Sequence, residues 1–154
     1  MPLLRIKNMG EIFAEIELIN VGDMEMERRH LMDKADVKHI RVNMLVDSGA
    51  YMLTINESIQ EVLQLPFKEK RKVRMGDESI VELDVVGPVE VRFANRSATC
   101  NAFVIKGDGE PLLGLIPMEE MDVVILVQRQ QLVVNPEHPD VAVLKMKGSR
   151  FGAV

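Results

Sequence analysis

Apolar and polar residues alternate along much of this chain. Ile12, Ala14, Ile16 and Leu18 interleave with Glu11, Glu15 and Glu17, the period of two that sets one strand face on a core and the other in water. Residues 39–46 begin with the same alternation and turn fully apolar at Met44-Leu45-Val46, which suits a strand covered on both faces. A short strand is expected over 51–55. Residues 73–86 read as a β-hairpin with Gly76-Asp77 as its tight turn. Val89, Val91 and Phe93 then alternate with Glu90 and Arg92, and Asn95-Arg96-Ser97 signals a turn before a strand over 98–105. Residues 123–127 and 131–135 make a last β pair, and 141–146 is a candidate strand in the tail.

Helical signals are few. Asn56 is a natural N-cap, Glu57 complements the helix dipole, and Ile59, Val62 and Leu63 share one face before Pro66 stops the chain. These place a helix over 57–64. A single helical turn is expected over 117–121, and the highly charged residues 22–36 read as a long hairpin loop or a short surface helix. The sum is an all-β fold, barrel-like and closed, with one or two short helices. One domain spanning residues 1–154 is expected, its core at about 11–136 and a C-terminal tail at 137–154.

Composition narrows the function classes. With 154 residues, 47% of them hydrophobic and 28% charged, the chain is large enough to bury a core and too apolar to be disordered. Aromatics are only 4%, so the core rests on aliphatic residues and on 11 methionines. A net charge of −5 argues against a nucleic-acid partner, and the basic run from Lys68 to Arg74 reads as a solvated loop or strand face. No apolar run approaches the ~20 residues that cross a bilayer, so no membrane partner is expected. A lone Cys100 excludes an intrachain disulfide, suits the reducing cytoplasm, and reads as a packed thiol. The N-terminus lacks the apolar stretch of a signal peptide. His30, His39 and His138 are scattered without zinc-type spacing, Glu119-Glu120-Met121-Asp122 reads as a solvated helix end, and neither metal nor cofactor is expected.

The candidate chemistry sits where the second strand ends, at Asp47-Ser48-Gly49-Ala50. Read locally, these are turn residues: Asp and Ser side chains bond nearby backbone, and glycine relaxes the chain. Leu112-Leu113-Gly114 follows, its glycine 67 residues after Asp47. Read alone, it is a core strand ending at a turn. Gly107-Asp108-Gly109 lacks both the hydroxyl residue and a preceding apolar strand of the same kind, and reads as a hairpin turn.

Taken in order, the apolar strand into Asp47-Ser48-Gly49-Ala50, the helix after it, the intervening hairpin and Leu112-Leu113-Gly114 resemble the retropepsin-like aspartic proteases of clan AA. The small single-domain prokaryotic members are the nearest in kind. The resemblance covers roughly residues 12–136, and Leu132-Val133-Val134-Asn135-Pro136-Glu137-His138-Pro139 is similar to the end of such sequences. It implies a closed acid-protease barrel that forms a homodimer, and a catalytic set of Asp47, Ser48 and Gly49. Ser48 stands where threonine is commoner and keeps the hydroxyl, which would bond the facing loop across the dimer. Ala50 and a hairpin flap with Met75, Gly76 and Asp77 at its tip would bind peptide, and Leu112, Leu113 and Gly114 would run beneath the active loop, the glycine leaving room for a close crossing.

Peptide hydrolysis by this chemistry needs two carboxylates that share one proton, one acting as base toward water and the other as acid toward the carbonyl. The chain holds one such motif. The resemblance therefore implies an aspartic endopeptidase whose dyad joins Asp47 from two subunits, with a peptide or protein substrate. The terminal segments 3–6 and 141–146 are candidate interface strands. Two rivals differ in class: a weakly active or inactive dimer of the same fold that binds peptides or assists assembly, and an unrelated small β-barrel in which Asp47 is only a turn residue.

Overall fold

The computed structural model describes residues 10–146. It is mostly β. Strand β1 (Phe13–Asn20) lies antiparallel to β2 (His39–Val46), with Ile16 opposite Val42. β2 runs parallel to the two-residue β7 (Leu112–Leu113), which touches β3 (Leu53–Asn56) at Thr54. β3 is parallel to β6 (Arg96–Ile105), and β6 is antiparallel to the long β5 (Ile80–Phe93). The second half of β5 pairs with β1 through Val89–Arg92, which returns the sheet to its first strand and closes a ring. β4 (Phe67–Arg74) adds to the first half of β5 and forms an edge. A shift in register between Val86 and Val89 lets the two halves of β5 serve these different neighbours. A separate pair, β8 (Val123–Leu126) and β9 (Gln131–Val134), follows.

The alternation in the sequence becomes burial. Ile12, Ala14, Ile16 and Leu18 are all buried while Glu11 and Glu15 face water. Ile16, Leu18, Met44, Leu53, Ile55 and Leu113 are fully buried inside the ring, each contributing about 1.5–3 kcal/mol by leaving water. The basic run lies on β4, exposed along nearly its whole length. Charges on an edge strand oppose unwanted pairing with other chains.

Three helices, rather than one or two, pack on this sheet. Helix α1 (Val21–Arg28) occupies part of the charged stretch 22–36. The Asn20 side chain caps it by accepting from Asp23 N at 3.0 Å, and donates to Leu63 O at 2.9 Å. Asp23 in turn accepts from Lys38 N at 3.0 Å and Lys38 Nζ at 3.2 Å, so both ends of the insert are tied down. Helix α2 (Glu57–Leu63) starts at the expected cap, the Asn56 side chain accepting from Ile59 N at 2.9 Å. Helix α3 (Leu115–Met121) begins two residues earlier than the expected turn.

Other expectations are also corrected. The hairpin predicted over 73–86 belongs to longer strands, starting at Phe67 and ending at Phe93. Arg96, predicted in a turn, opens β6 and is buried. Gly107-Asp108-Gly109 does not close a hairpin, because β6 and β7 are separated by β3. The loop instead covers the start of α2: Gly107 O accepts from Glu57 N at 3.1 Å, Gly109 O accepts from Asn56 Nδ2 at 2.9 Å, and Asp108 meets Ser58. Residues 141–146 form no strand. Residues 3–6 lie outside the described residues. Among the described residues, no helix is long and apolar enough to cross a membrane.

Candidate active site

Asp47 is the first residue after β2, at the point where the parallel ladder to β7 ends. Its N–H donates to Leu113 O at 3.0 Å, extending that ladder by one bond. The carboxylate is turned by its own loop: Oδ1 accepts from Gly49 N at 2.9 Å, and Asp47 O accepts from Ala50 N at 3.1 Å. Asp47 is half-buried, while Ser48 and Gly49 are exposed. Gly49 suits the bend because a Cβ there would sit 3.1 Å from Asp47 Oδ1, tighter than most Cβ contacts.

The loop is held from below at Gly114. A Cβ on Gly114 would lie 2.3 Å from Met52 O and 2.8 Å from Ala50 O, so only glycine lets the two backbones cross. The next residues use the free donors of a helix start. Leu115 N donates to Ala50 O at 2.8 Å and Ile116 N donates to Tyr51 O at 3.1 Å, while Pro117 has no N–H to satisfy. The first turn of α3 thus pins residues 50–51 without any side chain. Sequence reasoning did not single out Leu115 and Ile116; Pro117 in the first helical turn was the available signal.

Met75, Gly76 and Asp77 form the tip of the β4–β5 hairpin. β5 pairs with β6 only from Asp84 onward, so the ladder from Arg71–Leu83 to Arg74–Ile80 projects as a two-stranded arm. At the tip Met75 N donates to Ser79 O at 2.8 Å and Glu78 N to Met75 O at 3.0 Å. Asp77 Oδ1 accepts from Ser79 N at 3.0 Å and Ser79 Oγ at 2.5 Å, and these bonds, the hydroxyl's first, hold its carboxyl below the usual range. These bonds stay inside the arm. The structure therefore gathers Asp47, Ser48, Gly49, Ala50, Leu113 and Gly114 in one place, with Leu112 one residue behind, and among the described residues no hydrogen bond joins the arm tip to them.

Cys100 is an inert thiol: burial, helped by the charge of Glu120, pushes it up to about 12. Glu120 accepts from Thr99 N at 2.7 Å. Among the described residues, no three His, Cys, Asp or Glu side chains converge as metal ligands would. No protein-family model matches the chain, and no curated protein matches it.

Proposed function

We propose that the protein is an aspartic endopeptidase of retropepsin type, a closed barrel that acts as a homodimer with Asp47 contributed by each subunit. The observation that carries this reading is the Asp47 turn itself. A carboxylate just past the buried end of β2, after Met44 and Val46, is fixed by its own loop amide, and that loop is locked by a glycine crossing and a helix start. A plain surface turn has no need of such support, whereas a catalytic group must be held to a fraction of an ångström.

In the dimer the two Asp47 carboxylates approach across the two-fold axis. Like charges so close cannot both ionise cheaply, so the pair holds one proton. Gly49 N–H fixes Oδ1 and leaves Oδ2 of each residue to share the proton and a water. The ionised member draws a proton from the water as it attacks the peptide carbonyl, and the protonated member donates to the carbonyl oxygen. Collapse of the tetrahedral gem-diol passes a proton to the leaving amine. The exposed Ser48 hydroxyl bonds the facing loop, and the β4–β5 arm closes over an extended substrate.

The test is cleavage of a peptide library by the full chain. Cleavage is expected to be blocked by a statine-type inhibitor and to fall about 10²–10⁴-fold or more in Asp47→Asn. A dimer that binds peptides but never cleaves them would assign the fold to binding or assembly instead. A chain that stays monomeric at high concentration would sink the dyad.

A further inference from the structure

The sheet ends at β4. It has β5 on one side and, among the described residues, no strand on the other. Every residue of β4 except Val73 is exposed. At the turn Met75 N–H donates inward, to Ser79 O at 2.8 Å. The alternation of an antiparallel ladder then turns the N–H and C=O groups of Arg74, Lys72 and Lys70 away from β5, toward the open edge.

These three residues are all cations, and the period of two sets their side chains on one face. Over its length β4 carries five cations, Lys68, Lys70, Arg71, Lys72 and Arg74, against one acid, Glu69, in a chain of net charge −5. The inner neighbour supplies acids. Lys70 Nζ meets Asp84 Oδ1 at 2.7 Å, Lys72 stands opposite Glu82, and Arg74 reaches Glu78 across the turn at 3.2 Å. Charge therefore alternates from strand to strand, acidic on β5 and basic on β4. A neutral or basic strand placed outside β4 would cover or repel the cations. A strand with acidic residues in step with Lys70, Lys72 and Arg74 would continue the alternation.

We propose that the outer edge of β4 is a docking site for an extended acidic peptide, added to the sheet as a further strand with an acidic residue at every second position. The open backbone groups of residues 70, 72 and 74 supply its hydrogen bonds, and opposite-charge pairs across the two strands select its sequence. Nucleic acid shares the negative charge, but it has no row of backbone donors and acceptors to match a strand edge, and the net charge of the chain opposes it. The site runs along the flank of the arm rather than at its tip, and it does not depend on the chemistry of Asp47.

Fluorescence anisotropy on the full-length Asp47→Asn chain tests this without cleavage of the probe. A short labelled peptide alternating glutamate and valine is expected to bind, and one alternating lysine and valine is not. Replacing Lys70, Lys72 and Arg74 together by threonine should raise the dissociation constant roughly tenfold or more, through the loss of three cross-strand pairs. Lys72→Pro removes one outward N–H, a change that edge strands tolerate, and should weaken binding by a similar order. Lys34→Thr, an exposed cation away from the arm, should leave binding unchanged. Circular dichroism should find all three variants folded, since every replaced side chain is exposed. Undiminished binding in the triple variant would overturn the site. Loss of binding in the triple variant with full binding in Lys72→Pro would leave charge attraction alone and overturn strand addition. Tighter binding of a single-stranded oligonucleotide would overturn the choice of a peptide. Displacement of the probe by a statine-type inhibitor would put the peptide at Asp47 and not on β4. Failure of all these peptides to bind would end the proposal, while cleavage by the unaltered chain would still stand as the separate measure of the peptidase reading.

Discussion

The Asp47 loop and the β4–β5 arm are both turns that follow a strand, yet they are built in opposite ways. The Asp47 loop is bonded to β7 and to the start of α3, elements more than 60 residues away in sequence, and a glycine crossing supports it. The arm tip bonds only within itself, on a ladder with no third strand. Two-stranded hairpins are marginally stable alone, while a loop tied to several core elements opens only with them. On the peptidase reading proposed above, the difference is a division of labour: the group that would react sits on the rigid frame, and the element that would close over a substrate is left free.

The contrast can be broken or sharpened by experiment. The largest effect expected is in Asp47→Asn, which on the proposed reading removes the shared carboxylate and should lower cleavage about 10²–10⁴-fold or more while leaving the melting temperature nearly unchanged. Next is Gly114→Ala. Its new methyl would meet two backbone carbonyls, which cannot swing aside as a side chain can, so a loss of about 1–3 kcal/mol is expected in denaturant unfolding. The same change at Gly76 in the arm tip adds a methyl to open space, with no atom within 4 Å, and should alter stability by less than about 0.5 kcal/mol. Equal destabilisation at the two glycines would erase the distinction. Hydrogen exchange offers a finer comparison: the amides of Asp47, Leu115 and Ile116 should be protected by larger factors than those of residues 80–83 in the arm.

A smaller effect concerns pH. Hydrogen bonds from Val143 N–H and the Asn135 side chain, followed by His138, hold the Asp122 carboxyl at about 2, below its ordinary 3.8. The ionised form therefore favours the native state. That contribution is complete above about pH 4 and is lost as pH falls toward 2. The clamp on the tail thus persists through most of the acid range. Acid unfolding of Asp122→Asn should lack this component between pH 4 and 2, and an unchanged acid transition would remove Asp122 from the role.

What the sequence determined by itself was local. The period of two marked β1 and β2, and the apolar end of β2 pointed to the loop at Asp47. Asn56, Glu57 and Pro66 marked α2, because a cap and a stop act within a few residues of their helix. Tertiary structure decided whatever depends on bonds between distant segments. The charged stretch after β1 became a helix where Asn20 could also reach Leu63. Gly107-Asp108-Gly109 became a cover for α2 because β3 stands between β6 and β7. Which carbonyls Gly114 must clear, and that α3 starts against Ala50 and Tyr51, could not be read from residue types: a backbone amide or carbonyl is the same in every sequence, and only the fold selects its partner.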